Sequence, residues 1–293
     1  MPSRPSPAGS ATWIVVRSLS ILLLSGLAGA MLIRMAPGFG IDERVLDPRL
    51  SRQSLAALAR QHDAERNPLT FYLHYLTGLA HGDAGTSVVF GQPVAQLIRE
   101  RAPATLRTVA LGLAVGWVAA LLFAGAGASR GNTVTAIGGL AVSGLLISIP
   151  SAVLATLCLL LELPPAFAVA AVVYPRIFPH AYQQLRAART MPHVLMARAR
   201  GLSPARVFFL HIVPPALTPV VALAGTSAVL ALGASIPIEA LADSPGIGQL
   251  AWRAALGRDL PTLVTITLLL TAATVLGNTA ADLVSARLRR RTA

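Results

Sequence analysis

TLRTVALGLAVGWVAALLFAGAGA at residues 105–128 and TVTAIGGLAVSGLLISIPSAVLATLCLLL at residues 133–161 decide the fold class. The first carries one charge, Arg107, and the second none. A helix needs about 20 apolar residues to cross a bilayer core, and each run exceeds that length. Only the short polar turn Ser129-Arg130-Gly131-Asn132 separates them, which reads as a helical hairpin in lipid. Outward from this pair, similar runs lie at Ile14–Ala36, Leu163–Leu185, Ile212–Ile238 and Leu260–Ala281. The expectation is an all-α membrane protein with six transmembrane helices.

Composition agrees. Of 293 residues, 54% are hydrophobic and 12% charged, about half the charged share of an ordinary soluble domain. All 24 basic residues are arginine, and the formal net charge is +12. In a membrane chain such an excess marks cytoplasmic loops rather than nucleic-acid binding. The single cysteine, Cys158, lies inside an apolar run and excludes an intrachain disulfide. It reads as packing.

The first run begins and ends near arginines, Arg17 and Arg34, whose long side chains can reach the headgroups. Ala28-Gly29-Ala30 resembles a signal-peptide cleavage site, but the apolar stretch continues beyond it and favours a retained span. Gly38–Arg101 is the long polar segment, with seven arginines against seven acids. Ser51, with Leu55 and Leu58, opens one short helix there. Leu69, Tyr72, Leu73, Leu76 and Leu79, following Pro68, mark a second, amphipathic one. His62, His74 and His81 are scattered in this segment without the spacing of a metal site. The expected organisation is a cytoplasmic N-terminus at 1–13, a first span at 14–36 and an extracytoplasmic segment at 37–103. A block of five helices follows at 104–285, with its main cytoplasmic loop at about 186–211, and a basic tail at 286–293. Arginines dominate the segments placed inside, and acids those placed outside, so both termini are expected in the cytoplasm.

ARARGLSPARVFFLHIVPPALTP at Ala197–Pro219 stands out among the loops. Its residue types give a basic helix ending at Gly201, then Ser203 as N-cap with Pro204 in the first turn of a new helix. A short element between two spans on the arginine-rich side is suited to docking a cytosolic partner, although a solvated basic loop would have the same composition.

This stretch resembles the coupling motif of ABC importer permeases, in the branch of B-type dipeptide, oligopeptide and nickel permeases. Ala197, Ala199, Gly201, Leu202, Ser203, Arg206, His211, Ala216 and Pro219 match the branch's pattern. So do RMAPG at Arg34–Gly38, GDAGTSVVFGQPVAQLIRERAPATL at Gly82–Leu106, SIPS at Ser148–Ser151 and SPGIGQLAWRAALGRDLPTL at Ser244–Leu263, in the family's order. The chain departs from the pattern in having no acid just before the turn, Pro214-Pro215 after it, and a short Glu162-Leu163-Pro164-Pro165 connection.

The resemblance implies a type I ABC importer permease fold, with Ala197, Arg198, Ala199, Arg200, Gly201, Leu202, Ser203 and Arg206 coupling to an ATPase. It also implies a second, C-type permease, two ATPase subunits carrying ATP and Mg, and an extracytoplasmic binding protein. No nucleic-acid partner is expected. The chain has no phosphate-binding loop of its own, so no cofactor, metal site or catalytic residue is expected in it. Glu239, Asn278 and Asp282 are the polar residues that could serve structure or a pathway. Hydrogen bonding to nearby backbone is the favoured role for Glu239 and Asp282. The alternatives are a secondary transporter, which would need midplane charges and broken helices, and an intramembrane hydrolase, which would need a serine and histidine paired at bilayer depth.

Overall fold

The computed structural model describes residues 7–35, 68–130, 133–221 and 223–292. The helix expected at Ser51, His62 and the Gly131-Asn132 part of the hairpin turn lie outside them. The described residues are helical, with one isolated bridge between Thr86 and Pro93. The helices are α1 (Pro7–Met35), α2 (Pro68–Ala80), α3 (Val94–Arg130), α4 (Thr133–Ser148) and α5 (Ser151–Leu160). They continue with α6 (Ala166–Arg189), α7 (Pro192–Ala199), α8 (Pro204–Val207), α9 (Val213–Val221), α10 (Leu223–Leu241), α11 (Ile247–Leu256) and α12 (Leu260–Thr292). Residues divide into two compact units, 1–101 with 250–272, and 102–249 with 273–293.

In the first unit α1 packs on α2. Its small core holds Ala30, Tyr72, Tyr75, Leu260, Val264 and Leu268. Gly26 makes that approach possible, since a Cβ there would sit 2.5 Å from the Tyr72 hydroxyl. The hydroxyl instead donates to the Leu23 carbonyl at 2.8 Å, and the Tyr75 hydroxyl pairs with Thr265 Oγ1 at 2.7 Å. Burial pushes both phenols above their ordinary pKa, so they remain neutral.

In the second unit α6 is the hub, packed against α4, α5, α9 and α10. Val169, Val173, Ile177, Phe178 and Ala181 lie fully buried along it. Phe178 stacks between Tyr174 and Tyr182, with ring centroids 5.5 and 6.1 Å away. Gly139 of α4 faces this ring closely: a Cβ there would fall 2.1 Å from the Phe178 ring. Gly112 of α3 meets Val169 in the same way. Gly112 and Gly139 thus serve packing inside one subunit, with backbones drawn close enough for dispersion to hold them. Trp117 of α3 adds a polar tie, donating from Nε1 to Ser227 Oγ of α10 at 3.0 Å.

By length and composition, Val94–Ser129, Pro219–Leu241 and Leu260–Leu283 can each cross a membrane. The stretch read as one span at Thr133–Leu161 is two helices, α4 and α5, bent by 101°. The cause is Pro150, which lacks an N–H and disfavours helical backbone at Ile149. Its carbonyl then receives the Val153 amide at 2.9 Å and starts α5. Counted as a broken span, the pair makes a fourth. The apolar part of α1, Val16–Leu32, is shorter. Helix α6 runs unbroken through Pro175, Arg176 and Pro179. One face of α6 is buried against its neighbours, whereas Phe167, Arg176 and His180 are exposed on the other.

The expected effect of Gly139→Val is a loss of about 1–3 kcal/mol through overpacking against Phe178. Gly138→Val is the control, since nothing lies within 4 Å of a Cβ at that position. Thermal unfolding of the detergent-extracted protein should separate the two variants.

Candidate functional site

Helix α7 ends as the arrangement ARARGL requires. Arg200 caps it, Gly201 takes φ +73°, the Gly201 amide reaches the Arg198 carbonyl at 2.9 Å, and the Leu202 amide reaches Ala197 at 3.3 Å. This is a Schellman closure, in which a left-handed residue lets two amides fold back on orphan carbonyls. Ser203 then caps α8, accepting the Arg206 amide at 3.4 Å, with Pro204 in the first turn. Two helices are thereby joined by a defined corner.

The corner has one anchored face and one open face. Val194, Ala197 and Val207 are buried, and Leu202 packs on the core. Leu195 and Met196 are more than half exposed, and Arg198, Ala199, Arg200 and Arg206 are exposed beside them.

Beyond α8 the chain makes a π-turn at Phe208–Ile212, closed by the Val213 amide on the Phe208 carbonyl. Pro214 and Pro215 explain the irregularity, because neither can donate to the carbonyl four residues before it. One of those carbonyls, His211, is met instead by His193 Nε2 at 3.0 Å. A carbonyl only accepts, so His193 carries its proton on Nε2 in this bond. Arg189, at the end of α6, likewise donates to the Ala128 carbonyl near the C-terminus of α3.

The buried carboxylates occupy the other motifs. Glu239, fully buried in α10, accepts from Thr105 Oγ1 at 2.9 Å and from the Gly248 amide at 2.8 Å. The same Thr105 oxygen accepts the Ile247 amide at 2.8 Å. Two free amides at the start of α11 are thus paired through Glu239 and Thr105. Gly246 and Gly248 admit this approach: a Cβ on the first would lie 2.1 Å from Glu239 Oε2, and on the second 2.5 Å from the Ile236 carbonyl oxygen. Within the first unit, Asp259 is fully buried and caps α12 through the Thr262 amide at 3.3 Å and the Thr262 hydroxyl at 2.8 Å. Ser87 also donates to it, which ties the loop of GDAGTS to GRDLPT. No group of three or more potential metal ligands gathers among the described residues.

The corner, the proline-bent turn and Glu239, though not its partner Thr105, fall in one stretch, 112–293, and it is that stretch that matches the family described as binding-protein-dependent transport system inner membrane component. The chain belongs to this family. The permease is also 26% identical to the oligopeptide transport system permease protein AppB of Bacillus subtilis (strain 168), over 94% of this chain and 97% of the relative. It is 31% identical to the oligopeptide transport system permease protein OppB of Escherichia coli (strain K12), over 82% and 85%. Identity to the dipeptide transport system permease protein DppB of Lactococcus lactis subsp. cremoris (strain MG1363) is 29%, over 76% and 80%.

In this permease the sequence-expected residues Ala197 to Ser203, with Arg206, form one continuous element. Glu239 bonds to the Gly248 amide and the Thr105 hydroxyl. Asn278 and Asp282 are exposed on α12, and among the described residues no bond joins either to the Glu239 cluster. Thr105, Ser87 and Asp259 were not singled out from sequence. Asp259 carried a usable signal, since Asp-Leu-Pro-Thr before an apolar run is a helix-start pattern; Thr105 and Ser87 pair across more than 130 residues and carried none.

Thr105→Val keeps the shape of the side chain but leaves the Ile247 amide without an acceptor, at a cost of about 1–3 kcal/mol. Thr105→Ser should retain wild-type stability. Thermal unfolding of the two variants, run side by side, tests the assignment.

Proposed function

We propose that this permease forms half of the translocation pathway of an ATP-driven importer, and that its exposed corner at Leu195–Arg206 receives the ATPase. The observation that carries the docking role is the corner itself. It is rigidly closed by backbone bonds, anchored on one face, and open on a face of arginines interleaved with Leu195 and Met196. Such a knob can transmit force, whereas a solvated loop would be compliant. Membership in a binding-protein-dependent family supports the importer reading over a secondary transporter or an intramembrane hydrolase.

The proposed topology has six spans, with α1 and α6 counted among them and α4–α5 as one broken span. Both termini and the corner face the cytoplasm, and the segment after α1 faces outward. Arginine placement supports this orientation. The proposed cargo is a peptide or related small solute, nickel chelates included, on the strength of relatives named as oligopeptide and dipeptide permeases. A homologous but different permease would complete the pathway, two ATPase subunits would bind ATP and Mg, and an extracytoplasmic binding protein would deliver the solute.

Gly201→Val tests the coupling role. No atom lies within 4 Å of a Cβ at that position, so the substitution acts through φ rather than through a clash. A non-glycine residue in the left-handed region costs about 1–2 kcal/mol, more when branched. The expected outcome is a complex that assembles but shows strongly reduced ATP-dependent peptide uptake and ATPase activity no longer stimulated by solute. Wild-type uptake and stimulation would contradict the assignment.

A further inference from the structure

Helix α6 carries a polar stripe on its open face. Arg176, His180 and Gln183 are exposed there, spaced at i, i+4 and i+7 so that they align along one side, while Val173, Ile177 and Ala181 are buried on the other. The depth of the stripe is set by α3, which is long and apolar enough to cross a membrane. A Cβ on Gly112 would meet Val169 at 2.5 Å and one on Gly116 would meet Val173 at 3.1 Å, and farther along Arg189 donates to the Ala128 carbonyl. These contacts run the two helices side by side and hold Arg176 level with the uncharged stretch of α3 between Arg107 and Arg130. Along its own helix Arg176 lies about 15 Å from Ala166 and about 20 Å from Arg189. That is near the middle of a bilayer core about 30 Å thick. A charge at such depth faces water or the interior of an assembly rather than lipid. Of α4, α5, α9 and α10, the helices packed on α6, only α10 carries an acid, Glu239, and it is buried against Thr105 and Gly248.

We propose that this stripe is part of the wall of the solute pathway, and that Arg176 is the group in it that receives a carboxylate of the solute. The assignment rests on α6 being one of the six spans proposed above. A guanidinium presents its donors in a fixed fork that matches the two oxygens of a carboxylate, the group that every unmodified peptide carries at its C-terminus. His180 and Gln183 add hydrogen-bonding surface without negative charge, so nothing on the stripe competes with a carboxylate for Arg176. They also carry the polar surface about two turns farther toward the Arg186 and Arg189 end, a greater length than a single ion pair with a neighbouring helix requires.

The test uses the complete transport complex in sealed vesicles, with Cys158→Ala and one introduced cysteine, His180→Cys. A sulfonate-bearing and a trimethylammonium-bearing methanethiosulfonate are compared, at rest and during ATP hydrolysis, each corrected for its rate with a thiol in solution. The anionic reagent should react about tenfold faster, the low end of what a cleft lined by one sign of charge adds to an on-rate. Arg176→Gln should remove most of that preference, and Arg186→Gln, farther along the helix, should change it less. Glycylglycine should slow the anionic reagent several-fold, and glycylglycinamide, which lacks the carboxylate, should not. No reaction at His180→Cys in either state, equal rates for the two reagents, or equal effects of the two dipeptides would overturn the proposal. An ion pair with an acid of a second permease would overturn it too, and would show as loss of assembly in Arg176→Gln with no preference for the anionic reagent. Failure of the span reading is separable: Phe167→Cys and Ala187→Cys, near the two ends of α6, would then be labelled by an impermeant reagent from the same side of the vesicle instead of from opposite sides.

Discussion

A chain in lipid has no water to satisfy its backbone, so every amide and carbonyl freed at a helix end or break must find a partner within the protein. Most of the polar features of this permease follow from that constraint. Glu239 and Thr105 receive the amides that begin α11, Asp259 receives one that begins α12, and Arg189 covers a carbonyl where α3 ends. His193 covers the carbonyl that Pro215 cannot serve. At the exposed helix ends, where water is within reach, the backbone folds back on itself instead: α7 closes through Gly201, and α5, α10 and α11 close through Glu162, Asp243 and Arg258 at positive φ. The left-handed strain at those three residues is the cost of ending a helix without exposing its carbonyls.

The same constraint accounts for the partners of the buried acidic residues. A buried carboxylate in a membrane chain invites a pathway assignment. The partners of Glu239 are a hydroxyl and a backbone amide, and those of Asp259 are hydroxyls and the Thr262 amide. These are the partners expected of caps. The arginines at the corner are exposed instead, on the face that we propose docks the ATPase.

Much of this was legible in the sequence. The apolar runs gave the helical membrane class, and Gly201, Ser203 and Pro204 gave the corner almost bond for bond, because local chemistry sets helix ends. The α4–α5 bend was written in Ile149-Pro150, yet an uncharged run of 29 residues concealed it, since hydropathy carries no information about direction. The hub position of α6 was hidden for a related reason: Leu163–Leu185 read as one span among six, while its burial depends on the helices packed around it. Thr105 and Ser87 could not be identified because their partners lie 134 and 172 residues away.

The most direct measure of this backbone-pairing account is hydrogen exchange at the start of α11 in the bilayer-reconstituted permease. If Glu239 and Thr105 hold the Ile247 and Gly248 amides, a peptide spanning residues 245–250 should exchange as slowly as the interior of α10. Glu239→Ala should speed that peptide selectively and leave residues 192–200 unchanged. Fast exchange of residues 245–250 in the wild-type protein, or exchange unaffected by Glu239→Ala, would contradict the account.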